Sequence, residues 1–158
     1  GAHNMLHQLR RLRRVFLGEG YDALMIVEAD VIPPADALER LSALGADCAY
    51  GVYRLRRRDA PGENGPLNPR PRLSPAPGGC SGLGAPMTDE EYRGLPKDRP
   101  YPVSGSGLGC VLIRRRVMEE VRFRWEGVAH PDHYFTRDVC NAFVINKDKM
   151  AATRRRPG

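Results

Sequence analysis

The order of structural elements in this chain is decided by the stretch YDALMIVEADVIPP, which covers residues 21–34. Its apolar run from Ala23 to Val27 is short and continuous, which is typical of a strand covered on both faces. Two acids follow, Glu28 and Asp30, and the two prolines after them prevent the strand from continuing. The stretch therefore predicts a buried strand that ends at a pair of carboxylates.

Periodic segments lie on both sides of this strand. Apolar residues recur every three or four positions before it, which predicts an amphipathic helix that contains Met5, Leu9, Leu12 and Phe16. A second helix is predicted from about Ala35 to Leu44, followed by a strand over Cys48 to Tyr53. The alternation of helix and strand favours an α/β fold with a mixed, mainly parallel sheet flanked by helices.

Residues 54–102 are rich in proline, glycine and charge, and within them only Asp89 to Arg93 has a helical pattern. Such a long irregular stretch is either a functional loop or a disordered insertion. Beyond it, Val103 to Ile113 is rich in glycine and then apolar, which predicts a strand whose backbone another group approaches closely. A helix is expected from Arg115 to Val121. The spacing further predicts a helix over Tyr134 to Ala142 and a last short strand over Phe143 to Asn146.

The length of 158 residues favours one domain, residues 1–150, with a basic tail at residues 151–158. No stretch approaches the roughly 18 apolar residues of a membrane helix, and the N-terminus lacks the apolar run of a signal peptide. We therefore expect no membrane span and a cytoplasmic location. The four cysteines form no C-x-x-C pair, which favours free, mostly buried thiols over disulfides.

The formal charge of +6 comes largely from runs of arginine. Such runs are usually solvated, although they attract polyanions such as nucleic acid, an anionic membrane surface or phosphorylated substrates. Nucleic acid is the least favoured partner, because the arginines are not interleaved with aromatic residues and no helix-turn-helix or zinc pattern is present.

Glu28 and Asp30 are the strongest candidates for a functional site. Ligands of open α/β sheets bind beyond the carboxyl ends of strands, and alternate residues of an extended segment point the same way. Both carboxylates can therefore converge on one hard cation. The alternative is structural, with a solvated strand end or an Asp30 side chain that caps the next helix.

Residues 21–34 resemble the strand, acidic motif and following helix of the family 2-like GT-A-type glycosyltransferases, whose usual Asp-x-Asp appears here as Glu28-Ala29-Asp30. Residues 103–115, VSGSGLGCVLIRR, are similar to the glycine-containing segment of the same enzymes. This resemblance implies that Gly105, Gly107 and Gly109 lie against the substrate, whereas a tight turn with a bulge is the structural alternative.

A third segment, HPDHYF at residues 130–135, resembles the family's Glu-Asp motif, with Pro131 where a glutamate is expected. The resemblance places Asp132 at the position of the catalytic base, and the alternative is that Asp132 caps the helix that follows. His130 and His133 are candidate metal ligands or acid/base groups, although a histidine beside proline is more often neither.

The resemblance implies a transferase that uses a nucleoside diphosphate sugar and Mn²⁺ or Mg²⁺, held by Glu28 and Asp30. Asp132 would then activate a carbohydrate or other hydroxyl acceptor. The match is partial. No base-binding strand precedes Met5, no late histidine follows Asn146, and Phe143 stands where the family has glycine. The alternative is a catalytically inactive GT-A-like binding module that forms a homo-oligomer through its open sheet edge.

Overall fold

The computed structural model describes residues 1–56, 64–67, 73–76, 79–83, 88–96, 99, 101, 103, 105–127 and 129–145. Its helices are α1 (Ala2–Glu19), α2 (Ala37–Ala43), α3 (Asp89–Gly94), α4 (Arg115–Glu120) and α5 (Pro131–Val139), and α5 continues into a π-helical segment, Cys140–Ile145. Its strands are β1 (Ala23–Val27), β2 (Cys48–Tyr50), β3 (Arg54–Arg56), β4 (Asn64–Leu67), β5 (Leu73–Ala76), β6 (Gly79–Leu83) and β7 (Cys110–Arg114).

The main sheet has three strands in the order β1-β7-β2, and β7 pairs antiparallel with both neighbours. The expectation of mainly parallel neighbours is therefore wrong for the described strands. β1 and β2 do run in the same direction, since each opposes β7, but the later strand lies between them. The order helix, strand, helix, strand in the sequence indicated that β1 and β2 run in the same direction. It did not indicate that β7 lies between them.

The hydrogen bonds of β7 alternate between its two neighbours. The amide of Glu28 donates to the Gly109 carbonyl at 3.0 Å, whereas that of Gly51 donates to the Cys110 carbonyl at 2.9 Å. Because antiparallel pairs alternate between bonded and non-bonded positions, Leu24 and Ile26 bond to β7 while the backbone groups of Met25 and Val27 face away from it. β1 therefore presents an open edge within the described sheet.

Apolar side chains cover both faces of the sheet. On one face α1, α4 and α5 enclose the larger core, which includes Phe16, Val111, Val117, Phe123 and Phe135. On the other face α2 covers a smaller group, which consists of Leu41, Ala49, Cys110 and Leu112. Leu24 and Ile26 pack against the first group, while Ala23 and Met25 pack against the second, as expected for a strand covered on both faces.

Arg13 and Arg115 tie α1 to α4. Arg13 of α1 donates to the carbonyl oxygens of Met118 at 2.6 Å and Glu119 at 3.1 Å, which are among the last carbonyls of α4. Arg115 donates to the carbonyl oxygens of Leu17 and Tyr21 at 3.0 and 3.1 Å. The C-terminal half of α1 is thereby fixed beside the end of β7 that carries Arg114.

The predicted helices and the first strand are confirmed, with small differences at their ends, and two other predictions are wrong. The described parts of residues 54–102 include the short strands β3 to β6, in two antiparallel pairs, as well as the predicted helix α3. The expected last strand at Phe143 is instead part of the π-helical segment, in which Phe143 is buried in the larger core. The predicted tail, residues 151–158, lies outside the described residues.

Cys48, Cys110 and Cys140 are free thiols, as predicted, and the last two are buried. Burial raises the pKa of the Cys48 thiol to about 12. The side chain of Cys80 lies outside the described part of the chain.

Among the described helices, none is both long enough and apolar enough to cross a membrane.

Candidate functional site

Three segments of the chain meet at the edge of the main sheet that is formed by strand ends, which is distinct from the open side of β1. Val27 is paired with Cys110 and Tyr50 with Val111, so β1 and β2 end where β7 begins. The residues that follow β1, those that follow β2 and those that precede β7 therefore lie side by side. This edge includes Glu28 and Asp30 as well as the glycine-containing segment.

Tyr53 covers the glycine-containing segment. Its phenol oxygen accepts a hydrogen bond of 3.0 Å from the amide of Gly109. A methyl group on Gly109 would lie 2.5 Å from this oxygen, and one on Gly107 would lie 2.6 Å from it. The two glycines are needed here because the tyrosine side chain occupies the space that any larger residue would fill.

Asp132 lies in the first turn of α5 and faces the same edge. Its Oδ1 accepts a hydrogen bond of 2.8 Å from the His133 amide and lies 3.0 Å from Nδ1 of His130. A methyl group on Gly107 would lie 3.6 Å from the other oxygen, Oδ2. The side chain of Asp132 is 15% exposed, whereas that of His130 is 48% exposed. Asp132 is therefore held through Oδ1, and its Oδ2 is directed at the glycine segment.

The N-cap residue of α5 is His130, so Asp132 is not the helix cap that the structural alternative required. Similarly, the N-cap residue of α2 is Asp36 and not Asp30. Both carboxylates are thus placed for reasons other than helix capping, although the negative charge of Asp132 in the first turn also suits the helix dipole.

A buried hydrogen bond fixes α5 against the glycine-containing segment. Thr136 Oγ1 donates to the Ser106 carbonyl at 3.0 Å, and both residues are 2% exposed. Phe135 beside it stacks on Phe123, with ring centroids 4.5 Å apart. Since a buried polar bond and a packed aromatic pair both resist displacement, Asp132 has a rigid support.

The carboxylates of the site influence one another. Burial raises the pKa of the Glu28 carboxyl above its usual value, and the nearby charges of Asp30 and Asp132 raise it further. His130 acts in the opposite direction. Glu28 follows β1 directly and its amide bonds to the Gly109 carbonyl, at the end of the sheet where Asp132 Oδ2 faces Gly107. A cation placed here would relieve this repulsion.

The donor set suits a hard divalent ion only in part. Two or three carboxylates are the ligands that Mg²⁺ and Mn²⁺ prefer. Within the described part of the chain, however, no three His, Cys, Asp or Glu side chains are already grouped to hold a metal ion. Mg²⁺ is commonly bound by one or two carboxylates together with substrate phosphates, so the residues present fit an ion that arrives with a diphosphate.

Glu28, Asp132, Gly107 and Gly109 therefore lie at the same end of the sheet, and Asp30 is an exposed residue two positions beyond Glu28. Gly105 is buried and forms an isolated bridge earlier in the same segment. Sequence reasoning did not identify Tyr53. The sequence shows only an aromatic residue just beyond β2. Its contact with the glycines can be recognised only once β2 is known to end at the same edge of the sheet as β1.

No protein-family model matches this chain, and neither the curated proteins nor the solved structures include a match to it.

Proposed function

We propose that the chain is a GT-A-like glycosyltransferase domain that transfers a sugar from a nucleoside diphosphate sugar to a hydroxyl acceptor. The observation that carries the proposal is the position of Asp132, whose Oδ2 faces Gly107 at the end of the sheet where Glu28 follows β1. Burial raises the pKa of Glu28 there, and the charges of Asp30 and Asp132 raise it further. Carboxylates at this end of the sheet suit a metal-bound diphosphate and a proton acceptor.

Asp30 and Glu28 would hold Mn²⁺ or Mg²⁺, together with oxygens of the donor diphosphate. The ion supplies charge neutralisation for the diphosphate that leaves. A bound divalent ion would offset the negative charges that raise the pKa of Glu28.

Asp132 would accept the proton of the acceptor hydroxyl. The acceptor oxygen forms a bond to the anomeric carbon, the bond from that carbon to the diphosphate oxygen breaks, and the proton passes to Asp132. Oδ2 is the atom suited to this step, because Oδ1 is engaged by the His133 amide and by His130. His130 would act as a positioning residue that holds the carboxylate in orientation.

The test is thermal unfolding with uridine and guanosine sugar nucleotides, with and without Mn²⁺. We expect metal-dependent stabilisation of the wild type by a few degrees at saturating ligand, and its loss in Asp30→Ala. Glu39→Ala is the matched control, because it removes an exposed carboxylate from α2 and should keep the full shift. An equal shift in wild type and Asp30→Ala, or none in either, would overturn the proposal.

A second candidate function is assembly of a catalytically inactive module through β1. It is favoured by the unpaired edge of that strand, where five consecutive apolar residues carry neither lysine nor proline to discourage pairing. The partner would be a second copy of this chain. This alternative expects no response to sugar nucleotides and a dimer in solution.

A further inference from the structure

Tyr53 brings a hydroxyl group of the chain itself to the candidate site. Its phenol oxygen accepts a hydrogen bond of 3.0 Å from the amide of Gly109. Methyl groups on Gly107 and Gly109 would lie 2.6 and 2.5 Å from this oxygen, so the hydroxyl end of the ring fills the space against the glycine backbone. The resemblance to glycosyltransferases implied a substrate in this space, and the structure holds a phenol there.

The same hydroxyl group is a neighbour of the carboxylate proposed as the proton acceptor. A methyl group on Gly107 would lie 2.6 Å from the phenol oxygen and 3.6 Å from Oδ2 of Asp132, so both oxygens lie close to one point. Oδ1 of Asp132 is engaged by the His133 amide, which leaves Oδ2 as the oxygen on the side of the phenol. Catalytic hydrogen bonds are often long before a donor is bound, so this separation suits proton transfer from the phenol.

Packing orients the ring of Tyr53 without enclosing it. The residue is half-buried, and its ring packs against the smaller core group on the α2 face of the sheet. It belongs to residues 51–53, which connect β2 to β3 and are part of neither strand. A phenol that is oriented by a core and is still partly exposed to solvent can react with a small molecule.

We propose that Tyr53 is itself an acceptor, so that the chain attaches a sugar to its own phenol oxygen. This inference rests on the proposed function and names the acceptor of that same site. The phenol oxygen forms a bond to the anomeric carbon of the donor, and the bond from that carbon to the diphosphate oxygen breaks. The nucleoside diphosphate leaves with the electron pair of the broken bond, and the phenol proton passes to Oδ2 of Asp132. The product is an O-glycosylated tyrosine.

The test is intact-mass spectrometry of the full chain after incubation with Mn²⁺ and a sugar nucleotide. The donors, each used separately, are uridine diphosphate glucose, uridine diphosphate N-acetylglucosamine and guanosine diphosphate mannose. Each chain has one phenol in this position, so we expect the mass to increase by one sugar residue with at least one donor. Fragmentation of the modified peptide should locate the sugar on Tyr53.

Tyr53→Phe keeps the ring and removes the hydroxyl group, so we expect no increase in mass and a retained metal-dependent thermal stabilisation by the donor. Tyr21→Phe is the matched control, because it removes a 60% exposed phenol that precedes β1, whereas the site lies beyond the end of that strand. This control should be modified as fast as wild type. Asp132→Asn should be modified at least about a hundredfold more slowly, since it removes the proton acceptor.

Stabilisation by a donor without any increase in mass would overturn the inference and leave the proposed function standing. A sugar that is attached to another residue, and is still attached in Tyr53→Phe, would have the same meaning. If no donor stabilises or modifies the wild-type chain, the inference and the proposed function both fail.

Discussion

At the scale of single residues, Gly107 and Gly109 have a role different from the one that their pattern suggested. The resemblance to glycosyltransferases implied that a substrate lies against them, but in this structure Tyr53 occupies that space. A donor sugar that reaches this backbone would have to displace the phenol ring. The glycines correctly indicated that another group lies close to this backbone, because only glycine leaves such room. They did not indicate that this group is the Tyr53 side chain.

Gly109→Ala tests the contact with Tyr53. The added methyl group would lie 2.5 Å from the phenol oxygen, so we expect a loss of about 1–3 kcal/mol in the free energy of unfolding, measured with urea. Gly18→Ala is the control, since nothing lies within 4 Å of its new methyl group, and it should be neutral or stabilising. If Gly109→Ala also behaves as neutral, the glycine is not required by this contact.

Glu28 makes the stability of the folded protein depend on pH. Its pKa is raised in the folded protein by burial and then by Asp30 and Asp132, so the native state holds this proton more tightly than the unfolded chain. Ionisation of Glu28 therefore costs stability as the pH rises above its ordinary value of 4.5. In EDTA at pH 7, Glu28→Gln should melt at a higher temperature than wild type.

The advantage of Glu28→Gln should shrink as the pH is lowered through the ordinary range of glutamate, because wild-type Glu28 then becomes neutral as well. Glu39→Gln, on the exposed side of α2, should follow the wild-type profile throughout. A variant that melts below wild type at pH 7 would show that the negative charge of Glu28 is favourable, contrary to the crowding of carboxylates described here.

At the scale of elements, β1 is hydrogen-bonded to β7 along one side, while its other side is the open edge of the described sheet. The amides of Leu24 and Ile26 face β7, whereas those of Met25 and Val27 face the open edge. In a monomer, hydrogen exchange followed by NMR should therefore be slow at Leu24 and Ile26 and faster at Met25 and Val27, by a factor of about ten or more. The same experiment reports on assembly through this strand.

Protection of Met25 and Val27 that increases with protein concentration would favour the second copy of the chain as the partner of β1. Concentration-independent exchange with the alternating pattern would exclude pairing at this edge. Arg114, the last residue of the central strand, provides an internal reference, since its amide donates to the Asp47 carbonyl at 2.9 Å and should remain protected in both cases.

Elements with strong local patterns could be predicted from the sequence, and those with weak ones could not. α1 and β1 have continuous periodic or apolar runs, and their positions follow from them. The short strands β3 to β6 contain proline, glycine and charge, so their sequences have no strand pattern. They are recognised only from their antiparallel pairing in the structure. The π-helical segment has the same apolar residues as a strand would have, but it continues α5 directly, and Phe143 within it belongs to the core.

At the scale of the whole molecule, the carboxylate site depends on long-range topology. The sequence identified Glu28 and Asp132 separately, each by a local motif. Their proximity arises because α5 is anchored through Thr136 to the segment before β7, which in turn bonds to Glu28. No local pattern encodes these contacts, so the sequence alone could suggest the partners of the site but not their arrangement.

The central position of β7 also has a consequence for biosynthesis. β1 and β2 leave the ribosome well before residues 110–114, yet neither of them pairs with the other, and both depend on β7 for their main-chain partners. Until β7 emerges, the nascent chain carries two apolar segments that lack native partners, and closing such distant contacts is slow. The sheet can therefore form only after translation has passed Arg114, so chaperones have an interval in which to bind the emerging polypeptide.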